Sequence, residues 1–153
     1  MKVAIGCDHA GVELKDKVKN LLTKLGHSVL DFGTQTTDSV DYPDFAREVA
    51  FAVAEDRADR GIVICWTGNG TNITANKVRG IRSGLAINRD MAYYTRLHND
   101  ANVISMGQKY VSDDVYGDIV TTFLETEFEG GRHKRRVDKI CSLENEHSGS
   151  AVD

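Results

Sequence analysis

The apolar positions of this chain change period in a repeating way. Residues 3–7 form a short apolar run that stops at Asp8 and His9, and the run reads as a buried strand. From 11 to 25 the period turns helical, with Leu14, Val18, Leu21, Leu22 and Leu25 on one face and Gly26 placed to end the helix. Residues 28–32 read as a second strand and 33–41 as a polar loop. Pro43, the single proline, suits the first turn of a helix running to residue 55. Residues 62–65 are a third strand, the most apolar of the set. Strands are expected again over 85–87 and 103–106, with helices near 90–97 and 113–128. Gly130 and Gly131 break the chain before a last helix over 133–143, and residues 145–153 are expected to fray. Five strands alternating with helices predict a three-layer α/β/α, Rossmann-like domain over 1–144. Its five-stranded parallel sheet would be covered on both faces. No internal repeat and no second domain are visible.

Charge and cysteine usage narrow the function classes. The 153 residues carry a formal net charge of −4, which argues against nucleic acid as the main partner. A small anionic ligand needs only a local basic patch. No apolar run approaches the roughly 18 residues of a membrane span, so no membrane partner is expected. The amino terminus enters a strand pattern directly and reads as lacking a signal peptide. Cys7, Cys65 and Cys141 are widely spaced, with no CxxC pair and no zinc spacing. They read as reduced thiols in the cytoplasm.

In open parallel sheets, ligands bind beyond the carboxyl ends of the strands. That rule selects two loops. One follows the first strand and holds Asp8 and His9. The other follows the third strand and runs Cys65, Trp66, Thr67, Gly68, Asn69, Gly70, Thr71, Asn72. A glycine-bearing turn between a buried strand and a helix aims N–H groups at an anion. A cysteine at its first position has its thiolate favoured. A base beside an oxyanion cradle suits proton abstraction next to a carbonyl, with the enediolate oxygens held by the N–H groups. Read alone, the same pattern is equally a buried strand-end cysteine before a tight turn. Asp8 and His9 taken alone are a polar cap, and His98 is equally a helix C-terminal histidine. Tyr42 before Pro43 is equally helix-start packing. Arg132 and Arg136 share a helix face at i and i+4, either to clamp a phosphate or as a solvated basic face.

The stretches VAIGCDHAG, DYPDFA, CWTGNG with ANK after it, GIR, RLHNDANV and EGGRHKRRV occur in this order. Together they resemble the ribose-5-phosphate isomerase B and galactose-6-phosphate isomerase family over residues 2–144. The resemblance implies an aldose–ketose isomerase of phosphorylated sugars. It also implies no metal or organic cofactor, and a homodimer or dimer of dimers whose site is shared between subunits. Carried over by position, Cys65 resembles the base that moves the proton between two carbons, Thr67 assists with its hydroxyl, and His98 opens the sugar ring. Asn99 and the amides of 66–72, including those of Gly68, Asn69, Gly70 and Thr71, would hold the enediolate. Asp8 would bind sugar hydroxyls, Tyr42 would line the pocket, and His9, Arg132 and Arg136 would bind the phosphate.

The chain also departs from the family. Trp66 stands where the family has glycine and is expected to form a wall of the pocket. Asn69, Thr71, Asn72 and Thr74 replace small or aliphatic residues, and Lys109 stands where an arginine is frequent. These changes surround the sugar and phosphate positions and leave the preferred sugar open between pentose 5-phosphates and hexose 6-phosphates. Two other readings remain. A cysteine-dependent phosphatase needs an arginine at position 71, which is Thr71. A non-catalytic sugar-phosphate-binding module would bind without turnover.

Overall fold

In the computed structural model, which describes residues 1–146, strands and helices alternate as the apolar periods require. They run β1 (Lys2–Cys7), α1 (Val12–Lys24), β2 (Ser28–Asp31), α2 (Tyr42–Ala54), β3 (Arg60–Cys65), α3 (Asn69–Ala75), β4 (Ser83–Leu85), α4 (Arg89–Asn99), β5 (Val103–Gly107), α5 (Tyr116–Glu125) and α6 (Gly131–Glu146). The five strands form one parallel sheet in the order β2-β1-β3-β5-β4. The chain moves outward from β1 to β2 and then returns to the other side of β1 for β3. The strand order therefore reverses between β1 and β3, where an open sheet leaves a crevice at its carboxyl end.

Alternation along the strands separates two cores. Val3, Ile5, Ile62, Ile64, Ile104 and Met106 face α1 and α5, where Leu14, Val18, Ile119 and Phe123 meet them. Ala4, Val63 and Val103 face α2, whose Ala46, Val49, Ala50 and Val53 lie close on the sheet. Every one of these side chains is buried. Truncating a large one such as Phe123 to Ala removes packing worth roughly 3–5 kcal/mol. Lys15 is also fully buried, and its Nζ donates to Asp31 Oδ2 at 3.2 Å and to the Thr34 carbonyl at 3.0 Å. That amine ties the end of β2 and the loop after it to α1.

Boundaries differ from expectation at the edge elements. β4 lies two residues earlier than the apolar pattern suggested. Its partners Ser83 and Gly84 join the sheet by main-chain pairing with Val103 and Ile104, while Ile87 is exposed. α5 starts at Tyr116 because the residues before it serve other ends: Ser112 bonds Asp114, and Lys17 pairs with Asp113. α6 extends to Glu146, past the start of the expected frayed tail, and residues 147–153 of that tail lie outside the described residues.

Candidate active site

β3 ends at Cys65, and the residues after it form a turn built to hold its sulfur. Sγ accepts the Gly68 N–H at 3.2 Å and the Thr71 hydroxyl at 3.3 Å. Gly68 has φ +80° at the N-cap of α3, and a Cβ there would come within 2.6 Å of Leu85 Cδ1. Only glycine takes this turn without strain. Thr67 Oγ1 accepts the Asn69 N–H at 3.3 Å and so satisfies one donor at the start of α3. The hydroxyl-bearing end of the Tyr42 ring lies against Gly70, where a Cβ would sit 2.5 Å from its Cζ. Cys65 is 4% exposed, whereas Trp66 is 53% exposed, so the indole is not absorbed into the core. From β5, the Gln108 and Lys109 amides donate to the carbonyls of Cys65 and Trp66, at 3.0 and 2.9 Å. Lys109 itself reaches over the Tyr110 ring, 5.5 Å from its centroid.

Across the crevice, Asp8 Oδ1 caps the turn after β1 by accepting the Ala10 and Gly11 N–H groups, at 3.0 and 3.2 Å. Burial pushes this carboxyl above its ordinary value, and the two N–H bonds oppose the shift. His9 Nδ1 accepts the Val40 N–H at 3.2 Å, which leaves Nε2 as the donor of the neutral ring. Cys7, one residue before the cap, is pushed up to about 12 by burial and stays a thiol.

His98, Asn99, Arg132 and Arg136 stand elsewhere. α4 begins beyond β4 and runs back, so its last turn lies at the amino end of the sheet. Asp100 closes it in the left-handed conformation, φ 47°. Arg96 and Arg82 clamp that cap through Asp100, at 2.8 and 3.0 Å. The chain after α5 returns to the same place, where the Glu129 N–H donates to the Leu97 carbonyl at 3.0 Å. There the His98 and His133 rings stack at 4.1 Å and 3°. Burial, followed by the charge of His98, holds the His133 imidazole below its ordinary value. His133 Nε2 lies 3.3 Å from Glu129 Oε2 and 3.3 Å from Arg132 Nε. Protonated, it donates to the carboxylate; neutral, it accepts from the guanidinium. Imidazoles hold a metal through lone pairs in the ring plane, and two parallel rings do not aim those pairs at one point. This histidine–glutamate–arginine cluster is therefore suited to anions and proton exchange.

The expected residues thus fall into two groups. Asp8, His9, Tyr42, Cys65 to Thr71 and Lys109 share the carboxyl end, and His98, Asn99, Arg132 and Arg136 share the amino end. Cys65 pairs with Gly107 at the far end of β5, and Asn99 precedes Val103 at its near end. Five residues of parallel strand hold the two groups about 13 Å apart or more. A cavity of about 670 Å³ between α4, β4 and α6 contains Asn99 but none of the carboxyl-end group. Three participants were not singled out from the sequence. His133 and Glu129 are four residues apart, a same-face signal. Ser105 is a polar residue inside an apolar central strand, fully buried beside Thr71.

Known proteins share this sheet and its connections. The ribose/galactose isomerase family model matches residues 3–140. Ribose-5-phosphate isomerase B of Escherichia coli is 42% identical over 143 residues, covering 94% of this chain and 96% of that protein. The structure of Clostridium thermocellum ribose-5-phosphate isomerase B superposes with a TM-score of 0.94 at 50% identity, covering 96% of this chain and 99% of that one. That of Mycoplasma genitalium ribose-5-phosphate isomerase B, with ribulose-5-phosphate bound, superposes at 0.91 with 39% identity, covering 95% and 97%. With its five-stranded parallel sheet and the match spanning nearly its whole length, the chain belongs to the ribose/galactose isomerase family.

Proposed function

We propose that this isomerase interconverts an aldose phosphate and its ketose, with Cys65 carrying the proton between the two carbons. The observation that carries the reading is the pair of donors on Cys65 Sγ at the mouth of the β1/β3 crevice. A sulfur held by an N–H and an O–H is prepared to bear negative charge. Sγ takes the proton from the carbon beside the carbonyl; the C–H electron pair forms the carbon–carbon double bond, and the carbonyl π pair moves onto its oxygen. The Gly70 and Thr71 N–H groups in the first turn of α3, which have no carbonyl partner within that helix, receive the enediolate. The proton of the adjacent hydroxyl passes to the new oxyanion, and Sγ then returns its own proton to the former carbonyl carbon as the second carbonyl forms. Thr67 assists with its hydroxyl, Asp8 contacts the sugar hydroxyls, Tyr42 and Trp66 flank the sugar, and Lys109 adds charge nearby.

This reading requires two copies. In it, His98 and Asn99 of a second copy approach Cys65, with His98 exchanging the ring-opening proton. Arg132 and Arg136 of that copy close on the phosphate opposite His9. Large exposed apolar residues support the pairing: Tyr94 lies beside His98, Ile140 and Leu143 lie beside Asn99, and Ile73 follows the carboxyl-end turn on α3. The three free thiols fit a reducing cytoplasm, where the proposed base stays reduced. Among the described residues, no helix is long and apolar enough to cross a membrane. The testing experiment is an isomerisation screen of ribose 5-phosphate and hexose 6-phosphates with the wild type and Cys65→Ala. Turnover that depends on Cys65 supports the reading. Sugar-phosphate binding without turnover would favour a binding module instead.

A further inference from the structure

Behind Cys65 the sheet and α3 bury two hydroxyls: that of Thr71, already a donor to the sulfur, and that of Ser105, which the proposed chemistry does not yet use. Thr71 and Ser105 are both 0% exposed. Thr71 Oγ1 lies 3.3 Å from Cys65 Sγ, 3.2 Å from the Gly68 carbonyl and 2.9 Å from Ser105 Oγ. Ser105 Oγ lies 2.7 Å from that same carbonyl. Each hydroxyl has one proton. The shortest contact commits the Ser105 proton to the Gly68 carbonyl, and the Thr71 proton has three acceptors in reach: the sulfur, Ser105 Oγ and the second lone pair of that carbonyl.

We propose that Thr71, oriented by Ser105, is a positioning residue for Cys65: its hydroxyl donates to the sulfur when the sulfur is a thiolate and turns to Ser105 when the sulfur carries the proton. The inference rests on the reading of Cys65 as the base. During abstraction the substrate C–H bond breaks and an S–H bond forms, so the acceptor that Thr71 served disappears. The hydroxyl then rotates to Ser105 Oγ, and its lone pairs become free for the S–H. Return of the proton reverses the rotation. No heavy atom has to move, because both acceptors lie within hydrogen-bond distance of the one oxygen. Ser105 matters because it competes with Thr71 for the Gly68 carbonyl, at 2.7 Å against 3.2 Å. Without it, Thr71 has a permanent local acceptor one turn back in its own helix, and the sulfur loses its donor. Thr71 therefore serves the sulfur and not the sugar, since its buried side chain has no face toward the crevice.

The test measures thiolate formation at Cys65 apart from catalysis. The ultraviolet absorbance of the thiolate is followed against pH, with Cys65→Ala as the blank. Thr71→Val should move the midpoint up by about one to two pH units, the effect of losing one hydrogen bond to a charged group. Thr71→Ser should restore the wild-type midpoint, and Ser105→Ala should move it up by a smaller amount. The acid limb of kcat/KM should move with the thiolate midpoint in each variant. An unmoved midpoint in Thr71→Val overturns the proposal, and an unmoved midpoint in Ser105→Ala overturns it if the valine variant does not fold. A thiolate midpoint that moves while the rate profile stays fixed leaves Thr71 assigned and rejects Cys65 as the base.

Discussion

The two ends of the sheet solve opposite problems. At the carboxyl end, Cys65, Gly68, Thr71 and Ser105 are locked by short-range bonds, and backbone groups make most of the contacts. At the amino end, His98, Glu129, Arg132 and His133 meet through long side chains, and most of them remain reachable by solvent. The first end supplies fixed geometry, which proton transfer to and from carbon demands. The second supplies charge and titratable nitrogen, which bind an anion and exchange protons with oxygen. In the proposed reading neither end is complete alone, and a strand's length separates them.

Removing the sulfur disables the first end outright. Cys65→Ala is expected to lower turnover by at least about 10²-fold, the ordinary worth of a general base. Sugar-phosphate binding should remain measurable by calorimetry. Arg132→Ala weakens the second end differently. Binding of phosphorylated sugars should weaken about tenfold or more, as loss of a charge-assisted bond does, while free sugars are little affected. Equal losses for both kinds of sugar would remove Arg132 from the phosphate site.

Trp66 is the exposed exception at the locked end. Trp66→Gly is expected to change the ratio of kcat/KM between pentose and hexose phosphates by about tenfold, the scale of pocket-shape discrimination. Parallel changes for every substrate would reduce Trp66 to loop support. The smallest effect concerns His133, whose imidazole is held below its ordinary value. The unfolded chain takes up that proton near pH 6.5, before the folded one does. Its contribution to stability is therefore complete above about pH 6.5 and falls as pH drops toward the folded value. The thermal midpoint of the wild type should decline over that window more steeply than that of His133→Gln.

Much of the fold was legible because central strands and amphipathic helices announce themselves by period. β1, α1 and β3 fall within a residue or two of expectation. β4 slipped because an edge strand of three residues is held by main-chain pairing, and Ser83 and Gly84 carry no apolar signal. The start of α5 slipped because Asp114 is bonded by its neighbour Ser112 and Asp113 by Lys17 of α1. The loop after β3 was legible from its glycines and its cysteine. That Thr71 faces the sulfur was not, because only the pairing of β3 with β5 brings Ser105 beside it. The separation of the two groups is a consequence of topology: residues after strands lie at one end, and the end of α4 and the start of α6 lie at the other.

Whether two copies share each site is tested by mixing two inactive chains. Cys65→Ala and His98→Ala are unfolded, combined and refolded together, and mixed dimers are verified by mass. In a two-fold dimer with shared sites, each mixed dimer has one site with both residues intact. Random pairing should then recover about a quarter of wild-type activity. Verified mixed dimers with no recovered activity would rule out the shared site, placing Cys65 and His98 of one chain together or denying His98 a part in the reaction.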